Sequence, residues 1–219
     1  MNNQQIESAR RQMVEQQVRA WEVLDERVLG VIAQVRRELF VPPAWRDVAF
    51  ADVEIPLAQG QSMLAPKVDG RILQALAVQG ADMVLDVGTG SGFLAACLAR
   101  LAGGVRSLEV VPELADRARE NVRASGIGGV HIETYDAMQL ADNDRYDAIA
   151  VTASLPAYDA RFERALKNGG RLFVVVGQPP AMEALLVRRV SATEWVRESL
   201  FETVVAPMVN APRPSSFVF

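Results

Sequence analysis

From Ala81 to Gly177 the chain alternates short, nearly unbroken apolar runs with segments whose apolar residues return every three or four positions. The runs "MVLDV", "VRSLEVV", "GVHIETY", "YDAIAVTA" and "GGRLFVVVG" predict five strands, and "FLAACLARLA", "PELADRARENVRA" and "PAYDARFERAL" predict three helices among them. Strands that are apolar on both faces need cover on both faces, and helical crossovers supply it. The pattern therefore implies a mostly parallel sheet in a doubly wound α/β fold. From Met182 to Pro207 further apolar runs follow with no useful crossover helix between them, which predicts an antiparallel pair closing one sheet edge.

Upstream, Ile6, Met13, Val14, Val18, Trp21, Val28, Leu29, Ile32 and Val35 keep a broadly helical spacing. Two helices with a break near Leu24 and Asp25 fit best, the second capped by the Asp25 carboxylate. Pro42 and Pro43 lack amide donors and stop any helix, so the chain to Pro66 is expected to run irregularly across the main body. After it, "KVDGRILQAL" reads as a helix. Residues 1–66 are expected to form a cover and acceptor-side segment of the same domain as a 67–219 core, with Asn210 to Phe219 as a tail. Trp21 and Trp45 are expected to pack the N-terminal segment onto the sheet.

The 219 residues are half hydrophobic, enough for one sizeable core. A formal charge of −4 and no long basic run argue against nucleic acid as a partner. The single cysteine, Cys97, sits in the apolar "LAACLAR" and reads as a core thiol. The only histidine, His131, falls in a predicted strand and reads as structural or surface. The polar, acid-bearing N-terminus is neither a secretory signal nor a typical transit peptide, and no apolar run is long enough to span a bilayer. No membrane association is expected, and a cytoplasmic location follows by default.

The chemistry begins at "VLDVGTGSGF", where Asp86, Gly88, Thr89, Gly90, Ser91 and Gly92 join the first strand to its helix. Glycines here let the backbone turn sharply and let a ligand approach main-chain amides. The spacing is G-x-G-x-G, with Phe93 where a dinucleotide fold wants its third glycine, and no Lys-Ser or Lys-Thr follows to make a P-loop. An acid in the loop repels pyrophosphate but suits a cationic amino-acid end. Glu109, 21 residues past Gly88, ends the second strand where a carboxylate can accept two ribose hydroxyls, and Asp136 follows the third, placed to accept an adenine amine. Three acids at successive strand ends fit a positively charged nucleoside without phosphate.

These residues resemble the class I S-adenosylmethionine-dependent methyltransferases, whose Rossmann-like fold and cofactor the resemblance implies. It also implies cofactor contacts from Asp86, Gly88 to Gly92, Glu109, Asp136 and its neighbour Ala137, with S-adenosyl-L-homocysteine as product. "VTASLP" after the fourth strand lacks the Asn/Asp-Pro-Pro-Tyr motif of amino-group methyltransferases. The segments "MVEQQV", "VLDERVLGVIAQVRRELFVPP", "FADVEIPLAQGQSMLAP" and "VTAS" together resemble the protein-L-isoaspartate O-methyltransferases. The resemblance runs from about Met13 to Met208 and implies methyl transfer to isoaspartyl residues of damaged proteins, a repair activity; a monomer is expected, although the sequence does not fix the oligomeric state. The resemblance implies no metal and no strong general base.

By that resemblance Ser62 is the catalytic-side residue, with Gln61, Pro66 and Thr152 toward the acceptor. Two departures stand out. Leu64 takes the place of a serine expected to help bind the acceptor carboxylate, and Tyr135-Asp136-Ala137 replaces Gly-Asp-Gly. A leucine facing a carboxylate offers no donor; alternatively Leu64 points into the core and the segment uses Ser62, itself either an acceptor-site group or a loop cap. Asp86 either holds the loop or contacts the methionine portion, and Thr152 either lines the acceptor side or caps the next helix. Lys67, Asp69 and Arg71 follow Pro66 at helical spacing and read as a solvated face. A small carboxylate or hydroxyl acceptor, or a noncatalytic cofactor-binding homologue, are the alternative functions.

Overall fold

Alternate residues of the first core strand point to opposite faces, and each face has its own apolar layer. Val84 joins one cluster and Leu85 and Val87 join the other. The structure, a computed structural model, describes residues 2–212; the expected tail falls largely on residues 213–219, outside that range. The chain opens with α1 (Asn3–Met13), which runs on through tighter and looser turns to Trp21. It breaks at Glu22, whose φ of 63° is left-handed, and restarts as α2 (Glu26–Gln34), where Asp25 accepts from the Arg27 amide. Both the break and its cap match the expectation from sequence.

The segment to Pro66 is more ordered than its prolines imply. Between 3-10 turns it forms a two-stranded antiparallel ribbon, β1 (Ile55–Pro56) with β2 (Ser62–Met63). The turn between them passes through left-handed Gln59 and Gly60, a reversal that local periodicity does not encode. Helix α3 (Pro66–Leu76) follows, started by Pro66 at its first turn.

The main sheet contains β3 (Met83–Val87), β4 (Gly104–Glu109), β5 (Val130–Thr134), β6 (Tyr146–Leu155), β7 (Leu166–Gln178), β8 (Ala181–Arg189) and β9 (Trp195–Thr203). Their order is β5-β4-β3-β6-β7-β8-β9, parallel from β5 to β7 and antiparallel through β8 and β9. The doubly wound fold and its antiparallel edge are thus both present. Helices α4 (Phe93–Ala99) and α5 (Pro112–Ser125) fall where the periodicity puts them, whereas α6 is only Ala160–Arg164, shorter than "PAYDARFERAL". Asp159 explains the late start, because its side chain caps the Arg161 amide, and Leu166 already belongs to β7.

One apolar layer, built from the N-terminal helices, α3, α4 and α5, covers one face of the sheet; the layer around Phe162, Ile149 and Leu172 covers the other. Trp21 packs edge-on against Phe201 of β9 at 5.2 Å, as expected, but Trp45 is exposed and does not. Cys97 is buried, and its surroundings push the thiol up. His131 lies at the surface on β5.

Candidate active site

The carboxyl ends of β3, β4 and β6, and the turn after β5, open into one cleft against the β1–β2 ribbon. It is lined by Gln61, Ser62, Gly88, Thr89, Gly90, Ser91, Glu109, Asp136, Ala137 and Thr152, all marked in the sequence. Parallel strands ending side by side at a change of winding direction leave such a crevice by construction. Three marked residues are not on its lining. Asp86 is buried beneath it, Gly92 starts α4 against α5, and Pro66 starts α3.

The loop after β3 is held by its own acids and hydroxyls. Ser107 donates to Asp86 Oδ2 at 2.6 Å; since its one proton is spent there, Thr89 donates in the 2.6 Å contact between the two hydroxyls. Asp86 Oδ1 has no partner among the described residues. Burial pushes the Asp86 carboxyl up to about 7, with Ser107 opposing and the charges of Glu109 and Asp69 adding to the rise. Such a buried, half-satisfied carboxylate is the arrangement a cation stabilises.

Glu109 accepts from the Gly90 amide at 2.9 Å and the Val111 amide at 3.0 Å. One loop amide is therefore already given to a carboxylate, which accounts physically for a loop ill suited to phosphate. A carboxylate has about four lone-pair sites, so Glu109 keeps acceptor capacity for two hydroxyls. Gly88 has φ 93°, and a Cβ there would lie 2.6 Å from Thr152 Oγ1, so the close crossing of β3 and β6 requires glycine. Thr152 caps no helix: its one hydroxyl proton is shared between the carbonyls of Val87 and Gly88, both at 3.0 Å.

Asp136 is engaged from two directions. Asp136 Oδ1 caps the Met138 amide, and Oδ2 accepts from Asn210 at 3.0 Å. The stretch after β9 returns to the cleft through Ser154, which exchanges backbone hydrogen bonds with Ala206 and Met208. Ala206, Met208 and Val209 then line the cleft. Sequence reading missed this return, because a contact between positions 154 and 207 leaves no local signal. Tyr135, too, lines the cleft beside Asp136.

The wall that carries Ser62 and Leu64 rests on Arg37. This residue is fully buried and donates to the Ala49 carbonyl at 3.0 Å, to Asp69 Oδ2 at 2.8 Å and to the Leu64 carbonyl at 2.6 Å. Its guanidinium also lies over the Phe93 ring at 4.7 Å. Asp69 is therefore no part of a solvated face: it is buried, it borders the cleft, and burial pushes it up to about 6 despite Arg37. Lys67 and Arg71 are also engaged, with Asp52 and Glu22 respectively. Helical spacing alone missed these partners because they come from elsewhere in the chain. Leu64 is 9% exposed and packs in the core with only an edge on the cleft. Ser62 lines the cleft, and its hydroxyl donates to Glu54 Oε2 at 2.6 Å.

A family model described as protein-L-isoaspartate(D-aspartate) O-methyltransferase matches residues 8–212. The chain belongs to this family. It is 36% identical over 211 residues to protein-L-isoaspartate O-methyltransferase 2 of Marinobacter nauticus, covering 95% of this chain and 96% of that one. The family's enzyme from Methanoculleus marisnigri is 39% identical over 189 residues, covering 85% and 86% of the two chains. A Plasmodium falciparum protein described under the same activity, solved in complex with S-adenosyl-L-homocysteine, superposes with a TM-score of 0.79 at 19% identity, over 91% of this chain and 97% of that one. That likeness is one of fold.

Proposed function

We propose that the protein is an S-adenosylmethionine-dependent O-methyltransferase that methylates the side carboxylate of isoaspartyl residues in damaged proteins. The observation that carries this reading is the family match over residues 8–212. A single cleft that gathers Glu109, Asp136 and the loop over Asp86 supports it.

The residues present fit the cofactor. Asp86, with one unpartnered oxygen beneath the loop, is matched to a cationic amino-acid end; Glu109 would take the ribose hydroxyls, and Asp136, flanked by Ala137 and Tyr135, the adenine amine. Gly88, Thr89, Gly90 and Ser91 shape the floor, and Gly92 sets the start of the helix behind it. When bound, the cofactor supplies a methyl group on a sulfonium sulfur, which a carboxylate oxygen takes without proton transfer, leaving S-adenosyl-L-homocysteine. The chain's own task is then to bind, orient and exclude water, and holding the partners in line is worth roughly 7 to 11 kcal/mol as effective molarity. Ser62, Gln61 and Thr152 form the acceptor side, with Pro66 setting the helix behind them.

In the same reading residues 1–66 act as an acceptor-side cover of one domain with the 67–219 core, and the enzyme works on polypeptide as a cytoplasmic monomer, not on nucleic acid. The charge of −4 speaks against nucleic acid, and among the described residues no helix is long and apolar enough to cross a membrane. The test is formation of S-adenosyl-L-homocysteine with an isoaspartyl peptide, with small carboxylates and hydroxyl compounds as competing acceptors. Turnover confined to the small acceptors would overturn the reading.

A further inference from the structure

The β1–β2 ribbon sets an unusual pair on the acceptor side. Pro56 stands opposite Ser62 and Ile55 opposite Met63, so Glu54 enters the ribbon at the level where Leu64 leaves it. From there the Glu54 carboxylate takes the Ser62 proton at 2.6 Å. A hydroxyl has one proton to give, so the Ser62 oxygen can offer the cleft only lone pairs. An acceptor carboxylate needs donors, and the Ser62 hydroxyl provides none while Glu54 holds its proton.

Glu54 also brings charge. The neighbouring Asp52 is neutralised by Lys67 at 2.7 Å, but among the described residues no lysine or arginine pairs with Glu54. A second carboxylate arriving beside Ser62 meets like charge, which disfavours binding unless a cation travels with it. An acceptor chain bearing lysine or arginine next to its isoaspartyl residue brings that cation.

We infer that Glu54 is a specificity-determining residue: it withholds the Ser62 proton from the acceptor, and it makes the enzyme select isoaspartyl residues flanked by a basic side chain. The inference rests on the isoaspartyl reading above and narrows its substrate class.

The experiment compares three isoaspartyl peptides that differ only in the following residue, lysine, glutamine or glutamate, using the full-length chain and its E54Q and E54A variants. Circular dichroism and cofactor calorimetry accompany each variant. For the unaltered enzyme at low ionic strength, kcat/KM should fall about tenfold from the lysine to the glutamate peptide, and the span should shrink with added salt. E54Q keeps an acceptor for Ser62 but loses the charge, so its span should drop below about threefold. E54A also frees the hydroxyl and should raise kcat/KM on the glutamine peptide about tenfold, a gain cancelled by adding S62A. Turnover without flanking preference, or an undiminished span in E54Q, overturns the inference while leaving the isoaspartyl reading standing. Cofactor binding with no turnover of any of the three peptides by any form overturns both.

Discussion

The two walls of the cleft are built on different principles. The wall proposed to hold the cofactor is made of backbone and of acids fixed by it: Glu109 binds two amides, Asp136 caps a turn, and Gly88 admits Thr152 at a distance no Cβ tolerates. The acceptor wall is made of side chains reaching across the fold, with Arg37 tying Ala49, Leu64 and Asp69 together and Glu54 holding Ser62. A wall determined by backbone restricts residue type where the chain crosses closely, as at Gly88. A wall determined by long-range side-chain pairs can exchange partners while its shape persists; of the two departures from the family pattern, Leu64 falls on that side, and Tyr135 and Ala137 flank Asp136 on the other.

The sharpest way to break this comparison is to remove the strut. Arg37→Met leaves Asp69 buried without its cation and two carbonyls without donors, and should cost about 4 kcal/mol, or roughly 10 °C in Tm, by calorimetry. Adding Asp69→Leu should recover more than half of that loss, because an apolar pair of similar volume replaces a broken ionic one. A single variant as stable as the starting protein would mean that the acceptor wall does not depend on Arg37.

On the other wall, Glu109→Ala removes the acceptor of the Gly90 and Val111 amides together with the lone pairs proposed to take the ribose hydroxyls. Cofactor affinity should fall about 100-fold, close to 3 kcal/mol, in isothermal titration. Overall stability should change far less than in the Arg37 variant, which is the contrast between the walls in measurable form.

How much of each wall was readable follows from the same difference. Loop glycines, strand ends and the acids at Asp86, Glu109 and Asp136 repeat at short range with the period of the fold, so pattern and spacing located them. Asp69 was misread because its i to i+4 surroundings look solvated, while its partner Arg37 lies 32 positions away. Asn210, Met208 and Val209 were invisible for the same reason: their return to the cleft is a pairing with Ser154, not a local preference. The ribbon that aligns Glu54 with Ser62 depends on left-handed Gln59, a conformation that the residue type does not advertise.

A smaller effect sharpens the role of Asp86. Its carboxyl is held up at about 7 by burial, and a bound cation favours the ionised form. Cofactor affinity should therefore rise roughly tenfold between about pH 6 and 7.5, and the dependence should flatten in Asp86→Asn. For the protein without cofactor the sign reverses. A raised folded-state value means the fold binds the proton more tightly than the unfolded chain, so this group's contribution is lost as pH rises from about 4 through 7. A pH-independent affinity would remove Asp86 from the cofactor site.

The smallest expected effect is at Leu64. Because its side chain packs mainly in the core, Leu64→Ser should change isoaspartyl kcat/KM by less than about threefold, below 0.7 kcal/mol. It should cost about 2 kcal/mol of stability by loss of buried apolar volume. A large gain in turnover would show that the missing hydroxyl, and not the Glu54 and Ser62 pair, limits the acceptor side.

The central claim is that an intact cofactor wall serves an acceptor wall retuned but still specific for isoaspartate. It is tested most directly by base-labile methyl incorporation from labelled S-adenosylmethionine into an isoaspartyl peptide beside the same peptide with normal aspartate. The account predicts incorporation into the isoaspartyl peptide alone. Equal incorporation into both, or none into either with cofactor bound, would contradict it.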